Sequence, residues 1–216
     1  RHEFHVVYQR VSQFVAVELS ALYHDVVKDR LYTDPANAPR RRSTQTALYR
    51  LVTGLCRLLS PILAFTADEA WEFVPGRTVP SVHLLTWEPL GFERPEDERA
   101  AWRTLLELRE RALPELEKAR QAKSIGKALE AKLTFAGAGP ELATAQAHRE
   151  SLRELLNVSQ LEIQPTAEAA LTISLARAAG EKCGRCWHWE THVGVDAGHP
   201  TLCARCAQAV RESVPA

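Results

Sequence analysis

Four of the five cysteines lie near the end of the chain, in two pairs separated by sixteen residues. Two residues separate the members of each pair, Cys183 with Cys186 and Cys203 with Cys206. This spacing allows one tight turn to direct both sulfurs of a pair at a single point, and two such turns complete a tetrahedron of thiolates around a zinc ion. The sequence therefore predicts one structural Zn²⁺, closed to substrate because protein side chains occupy all four positions.

Other chemistry for these cysteines stays open from the sequence alone. Two disulfides or a doubled redox C-x-x-C would use the same residues, although the chain shows neither secreted nor thioredoxin-like character. His188, His192 or His199 would serve as a ligand in place of one cysteine. The fifth cysteine, Cys56, lies on an apolar helical face and is expected in the core.

Aromatic and basic residues surround the two cysteine pairs. Lys182, Arg185 and Arg205 lie beside the cysteines, where they offset the negative charge of four thiolates on a divalent ion. Trp187 and Trp189 follow the first pair, and one ring is expected to pack over the metal site while the other faces outward. An outward tryptophan flanked by arginines suits the stacking of unpaired RNA bases, and packing over the metal is an equally good interpretation.

Basic residues also cluster elsewhere, although Lys+Arg and Asp+Glu number 27 each and the formal net charge is zero. Zero net charge excludes a uniformly basic nucleic-acid coat but not a local basic surface. The clustered residues are Arg40, Arg41 and Arg42 in a predicted loop before the second helix, and Lys123 and Lys127 after the fourth. Contact with phosphates is one interpretation, and a solvated surface is the other.

Apolar periodicity predicts a mainly α-helical fold. We expect an antiparallel helical bundle, then a small α+β subdomain, then a C-terminal zinc-knuckle module with four cysteines. The predicted helices span residues 2–32, 43–59, 65–73 and 95–122, with Ser43 as the N-cap of the second. Short strands are predicted at 132–135, 160–164 and 171–175, with helical residues between the first two.

The predicted domains are residues 1–94, the helical bundle; 95–180, a long helix with the α+β unit; and 181–216, the zinc module. Residues 77–95, which are rich in proline, are expected to form an extended linker at the first boundary. The last segment has almost no aliphatic residues, so its stability must come from the metal.

The sequence contains no P-loop, dinucleotide-binding, H-E-x-x-H or G-x-S-x-G pattern, and no catalytic residue is predicted. No apolar run approaches the ~20 residues that span a bilayer, so a cytoplasmic protein without membrane contact is expected. The chain contains no methionine and opens inside a helical pattern, which favours a piece of a longer protein.

Several segments resemble a known family. The stretches 4–8, 18–23, 28–32 and 59–71 are similar to the anticodon-binding helical domain of class I aminoacyl-tRNA synthetases, and residues 81–84 also fit. Residues 125–131 resemble the basic junction that follows that domain. Residues 182–187 with 202–206 are similar to the C-terminal zinc module of bacterial-type isoleucyl-tRNA synthetases, so the resemblance runs through the chain in the right order.

The resemblance implies that this chain is the C-terminal, non-catalytic part of an isoleucine–tRNA ligase. The signatures His-Ile-Gly-His and Lys-Met-Ser-Lys-Ser are absent, so ATP and Mg²⁺ would bind only in a catalytic domain outside this sequence. A monomeric fragment would hold the anticodon stem-loop of tRNA(Ile). The implied RNA-binding residues are Arg185, Trp187, Arg205, Lys123, Lys127, Arg40, Arg41 and Arg42. The alternative is a zinc-stapled protein-interaction module without direct RNA contact.

Overall fold

The computed structural model describes residues 3–88, 91, 93–168 and 170–213. The predicted start of the first helix at residue 2 and the last three residues of the predicted zinc module lie outside the described residues. Backbone contacts divide the chain into two compact units, one formed by Arg1–Pro35 with Pro95–Ala216 and the other by Ala36–Arg94. The first helix thus belongs to the same unit as the cysteine pairs. The predicted domain boundaries stay a prediction.

The chain is mainly helical, with a small mixed sheet, as the sequence predicts. The elements are α1 (Phe4–Gln13), a π-helical stretch (Phe14–His24), α2 (Asp25–Thr33), α3 (Pro39–Leu59), α4 (Ala64–Glu72), α5 (Glu96–Gln121), β1 (Ala131–Gly137), α6 (Pro140–Ala147), α7 (Arg149–Leu156), β2 (Gln160–Pro165), β3 (Thr172–Arg177), β4 (Glu181–Lys182), β5 (Trp189–Glu190) and α8 (Ala204–Ser213). Short 3₁₀ turns occur at Val82–Leu84 and Ala128–Glu130. None of the described helices has both the length and the apolarity to cross a lipid bilayer.

In the first unit, α1, the π-helical stretch and α2 form one uninterrupted helix. It ends where Asp34 takes an extended conformation, since the following Pro35 disfavours helical dihedrals in the residue before it. Val27 is buried on α2, and Asn157 at the end of α7 donates a side-chain hydrogen bond to Asp25 at 3.3 Å. Asn157 has the left-handed conformation that commonly ends helices.

The core of the first unit lies between α5 and a three-stranded sheet with the order β2-β1-β3. The central strand β1 pairs in parallel with β2 and antiparallel with β3. Alternate residues of β1 are buried, which places Leu133 and Phe135 in the core beside Leu105 and Leu108 of α5. The helical connection from β1 to β2 breaks into α6 and α7 at His148.

The cysteine-rich end of the first unit has little regular structure. The strands β4 and β5 are two residues long and pair antiparallel, with Glu181 opposite Glu190. The helix α8 follows the second cysteine pair. The buried residues that pack together here are the four cysteines, with Val193 and Leu202 against them.

The second unit, Ala36–Arg94, differs from the sequence prediction at its start. The helix α3 begins at Pro39 rather than at Ser43, because proline at a first helical position carries a helical φ and needs no hydrogen-bond partner. Arg40, Arg41 and Arg42 therefore lie in the first turn of α3 and not in a loop.

The proline-rich stretch 77–95 was expected to be an extended linker, and its first part is instead packed. Val82 is buried in a small core with Trp71 and Cys56. The Trp71 indole N–H donates to the carbonyl of Val79 at 3.0 Å. The side chain of Asp68 accepts from the Val82 backbone N–H at 2.9 Å, which fixes the 3₁₀ turn. The expectation that Cys56 is a core residue is met.

A leucine pair tests the core of the first unit. Leu133 is 0% exposed on β1 and Leu106 is 39% exposed on α5. Replacement of Leu133 by alanine should lower the free energy of unfolding by about 2–5 kcal/mol through lost burial and a cavity. The same change at Leu106 should cost about 1 kcal/mol or less. Urea unfolding followed by circular dichroism measures both, and equal losses would contradict this assignment of the core.

Candidate metal centre and nucleic-acid interface

Main-chain hydrogen bonds shape the first cysteine turn and tie it to the second. The Trp187 N–H donates to the Cys183 carbonyl at 3.0 Å, and the Cys183 N–H donates to the His188 carbonyl at 2.9 Å. The Gly184 N–H donates to the Thr201 carbonyl at 2.9 Å. Hydrogen bonds of the protein alone therefore hold the first turn next to the residues that lead into the second.

The second cysteine turn leads directly into α8, which starts at Ala204 and carries Cys206 in its first turn. The Cys203 N–H donates to the Cys183 sulfur at 3.3 Å. Hydrogen bonds with Cys186, and next with Cys206, lower the pKa of the Cys203 thiol well below its ordinary value. Hydrogen bonds with Cys186 and then Cys203 raise the pKa of the Cys206 thiol, so negative charge, the form of sulfur that binds metals, is favoured on Cys203.

The four sulfurs have the geometry of a single metal site. All four cysteines are buried and free of disulfides, and their sulfurs lie within 4.8 Å of one another. The sulfurs of Cys186 and Cys203 are 3.8 Å apart. Four sulfurs at about 2.3 Å from one tetrahedral ion are separated by about 3.8 Å, whereas a disulfide requires about 2.05 Å. The cluster fits one structural zinc.

Histidine is not a member of this cluster, which within the described residues consists of the four cysteines. His188 is buried, and its Nδ1 receives a hydrogen bond from Arg153 at 3.2 Å. Because arginine can only donate, the proton of His188 lies on Nε2, which faces the Asp29 carboxylate at 3.9 Å. Burial lowers the pKa of His188, so the ring is neutral at pH 7.

Trp187 forms an exposed aromatic surface beside the cluster. It is 56% exposed and has a left-handed backbone, with φ of 66°. Bulky residues rarely adopt this conformation, and it marks strain that the surrounding turn must hold. The ammonium groups of Lys182 and Lys127 lie 5.6 and 6.0 Å from the ring centroid. The structure thus brings together Trp187 and Lys127, two residues that the sequence analysis selected separately.

The remaining predicted basic residues occupy different places. Lys123 is exposed in the turn after α5 and has a positive φ of 56°. Arg40, Arg41 and Arg42 lie on α3 in the other unit. Their contact with RNA stays a prediction.

Arg185 and Arg205, also predicted to contact RNA, make several hydrogen bonds within the chain. The Arg185 guanidinium donates to the carbonyls of Thr33 and Tyr32, the second at 3.2 Å. Arg205 binds both carboxylate oxygens of Asp29, at 2.6 and 2.7 Å. A third bond joins Arg205 to Asp34 at 3.3 Å.

The pKa of the Asp29 carboxylate is shifted far from its ordinary value. Burial of the side chain by itself raises its pKa, but hydrogen bonds and attraction from Arg205 outweigh this and lower the pKa to about 2. In turn, burial lowers the pKa of Arg205, and pairing with Asp29 and then Cys186 reverses the effect and raises it. Both side chains are therefore charged at neutral pH and hold each other in place.

The sequence analysis missed Asp29, Asp34 and Arg153. No local spacing identifies them, because Asp29 and Arg205 are separated by 176 residues. In the sequence these residues appear only as isolated charges, Asp29 and Arg153 on helices and Asp34 directly after one, and such charges are typical of solvated surfaces.

Comparison with known proteins agrees with this geometry. The family described as the anticodon-binding domain of tRNA ligase matches residues 1–135. The family described as the zinc finger found in FPG and IleRS matches residues 180–209, which include all four cysteines. This chain belongs to the anticodon-binding domain family of tRNA ligases.

The similar curated proteins are isoleucine–tRNA ligases. Identity is 42% to the protein of Dichelobacter nodosus over 97% of this chain and 23% of the relative. Identity to the protein of Geobacter sulfurreducens is 40%, over 97% of this chain and 24% of the relative. Identity to the protein of Exiguobacterium sibiricum is 42%, over 97% of this chain and 23% of the relative. The chain thus spans about a quarter of the length of the relatives it matches.

Cysteine substitutions test the metal site. Cys203→Ser should reduce bound zinc from one ion per chain to nearly none, because a tetrahedral thiolate site loses one of its ligands. Cys56→Ser is the matched control, since Cys56 is buried in the other unit and is not part of the cluster. Elemental analysis of purified protein gives the ratio. Full zinc content in Cys203→Ser would contradict the four-cysteine site.

Zinc removal tests what the metal stabilises. A strong chelator should abolish amide protection in residues 181–213, because that segment has few aliphatic residues of its own. The strand β1 and the helix α5 should keep their protection, since their core consists of aliphatic side chains and one phenylalanine. Hydrogen exchange read by mass spectrometry distinguishes the segments. Collapse of protection throughout the chain would refute the separation.

Proposed function

We propose that this chain is the tRNA-recognition part of an isoleucine–tRNA ligase and contacts the anticodon stem-loop of tRNA(Ile). The whole ligase would activate isoleucine with ATP and Mg²⁺ and transfer it to the tRNA, in a catalytic domain outside this chain. No residue of this chain is assigned a catalytic role. The observation that carries the proposal is the exposed Trp187 ring with two lysine ammonium groups within 6.0 Å of its centroid, in the segment that carries the four cysteines.

The zinc site would act as scaffold. Cys183, Cys186, Cys203 and Cys206 are the proposed ligands, and the ion supplies structural cross-linking to a segment that has little core. The strained backbone of Trp187 is tolerated because the hydrogen-bonded turn between Cys183 and His188 fixes it. The ring is therefore presented at a defined position.

The exposed surface around Trp187 matches the chemistry of an unpaired nucleotide loop. Bases splayed from an RNA loop stack on aromatic rings, and cations beside the ring attract the adjoining phosphates. Lys127 and Lys182 provide those cations. Lys123 and the arginines at the start of α3 are proposed contacts to phosphates of the stem, which require only positive charge.

The proposed function also implies a location in the cytoplasm and a monomeric state. Charging of tRNA takes place in the cytoplasm, and a monomer suffices for one stem-loop. A protein-docking module without RNA contact is the competing function. The two differ in salt dependence, because RNA binding weakens steeply as counterions return to the phosphates.

Two tryptophan variants test the proposal. Trp187→Ala should weaken binding of the tRNA(Ile) anticodon stem-loop by roughly 5- to 150-fold, since one stacked base contributes about 1–3 kcal/mol. Trp102→Ala is the control, because Trp102 is also exposed but lies on α5 away from the cysteines. Filter binding at stepped salt concentrations measures both affinity and salt slope.

The outcomes separate the two functions. Loss of affinity in Trp187→Ala alone, with a steep salt slope in the unmodified chain, supports RNA recognition. Equal affinities for all three proteins would remove Trp187 from the interface. Absence of any RNA binding by the unmodified chain would sink the proposed function and favour protein docking.

A further inference from the structure

The two cysteine turns carry an arginine at the same position. Each turn has the form Cys-x-Arg-Cys, so Arg185 and Arg205 both immediately precede the second cysteine of their pair. Although they come from different turns, both side chains reach the same short segment, residues 29–34, at the end of α2. This convergence is a property of the folded chain that the spacing alone does not show.

Arg185 contacts the main chain of that segment. Its guanidinium donates to the carbonyls of Tyr32 and Thr33, which belong to the last turn of α2. Carbonyls at a helix end have no partner within the helix and carry the negative end of the helix dipole. The Arg185 guanidinium therefore supplies hydrogen-bond donors to two of these carbonyls and places a positive charge at the negative end of the helix dipole.

Arg205 contacts the side chains of the same segment. Its two bonds to Asp29 are bidentate, a geometry that fixes orientation as well as distance. The Asp29 side chain is only 18% exposed and that of Asp34 only 7%. Buried carboxylates need their ion pair, because a partly buried charge without a partner is costly.

Arg205 immediately precedes Cys206 of the metal cluster and binds Asp29 on α2, so this arginine connects the cluster to the helix. We propose that Arg185 and Arg205 form a clamp that fixes the zinc module on the end of α2, and that Asp29 acts through this clamp as a positioning residue for Trp187. Trp187 lies two residues beyond Arg185, so the clamp determines where its ring is presented. The role in RNA binding rests on the proposed function, whereas the clamp itself does not.

Asp29→Asn tests the clamp with little change of volume. The matched control is Asp25→Asn, on the same helix, where the carboxylate pairs with the exposed Lys28 at 2.8 Å and accepts from Asn157 at 3.3 Å, a bond that an asparagine oxygen can also accept, and where no bond to a cysteine turn is present. Loss of charge-assisted bonds should speed amide exchange in residues 29–34 and 203–207 by about tenfold or more in Asp29→Asn. Zinc content should stay at one per chain in both variants.

RNA affinity is the second measurement. Asp29→Asn should weaken binding of the anticodon stem-loop at least several-fold although Asp29 is not in the exposed surface, and Asp25→Asn should not. Trp187→Ala should weaken binding without changing exchange at residues 29–34, because Trp187 is not part of the clamp. Asp29→Glu, which retains the charge, should lie between Asp29→Asn and the unmodified chain in both measurements.

Unchanged exchange in Asp29→Asn would overturn the clamp. Faster exchange with unchanged RNA affinity would overturn the positioning role. If Asp29→Asn fails to retain zinc, the decision passes to Asp29→Glu, and exchange identical to that of the unmodified chain would then overturn the clamp. If the unmodified chain binds no RNA, the proposed function fails, and the exchange measurements still decide whether the clamp exists.

Discussion

Convergence of four cysteine sulfurs on one point is the constraint on which the C-terminal part of the first unit depends. Four thiolates around a divalent ion leave a net negative charge, and the surrounding residues respond to that charge. Arg205 lies next to Cys206 in the chain, and its side chain binds both carboxylate oxygens of Asp29. The Arg205 side chain, which is 38% exposed, thus joins the second cysteine turn to two largely buried carboxylates, those of Asp29 and Asp34.

Rigidity is the functional result of this arrangement. A segment without an aliphatic core cannot by itself hold a tryptophan in a left-handed conformation, because that conformation costs free energy. Main-chain hydrogen bonds between the two turns, the sulfur cluster and the contacts with α2 together fix the backbone. Under the proposed function, a ring held in this way would lose little conformational entropy when a base stacks on it.

Local patterns in the sequence account for much of this structure. The cysteine spacing predicts the metal site because both turns are short, and amphipathic periodicity predicts the long helices to within a few residues. The helix α3 begins at Pro39, before the predicted N-cap Ser43, because proline is compatible with the first position of a helix. The packing of Val82 against Trp71 could not be anticipated, because a proline-rich stretch gives no periodic signal. The partners of Arg185 and Arg205 were also beyond prediction, since contact between residues more than 150 positions apart leaves no mark in local spacing.

The left-handed backbone at Trp187 has a consequence for the evolution and engineering of this domain. Glycine adopts such dihedral angles at little cost, so a selection for thermal tolerance alone would replace the tryptophan with glycine and relax the turn. The resulting protein would be more stable to heat and would lack the aromatic ring proposed to stack on a base. Under the proposed function, an indole at this position exchanges some thermal stability for a surface on which a base can stack.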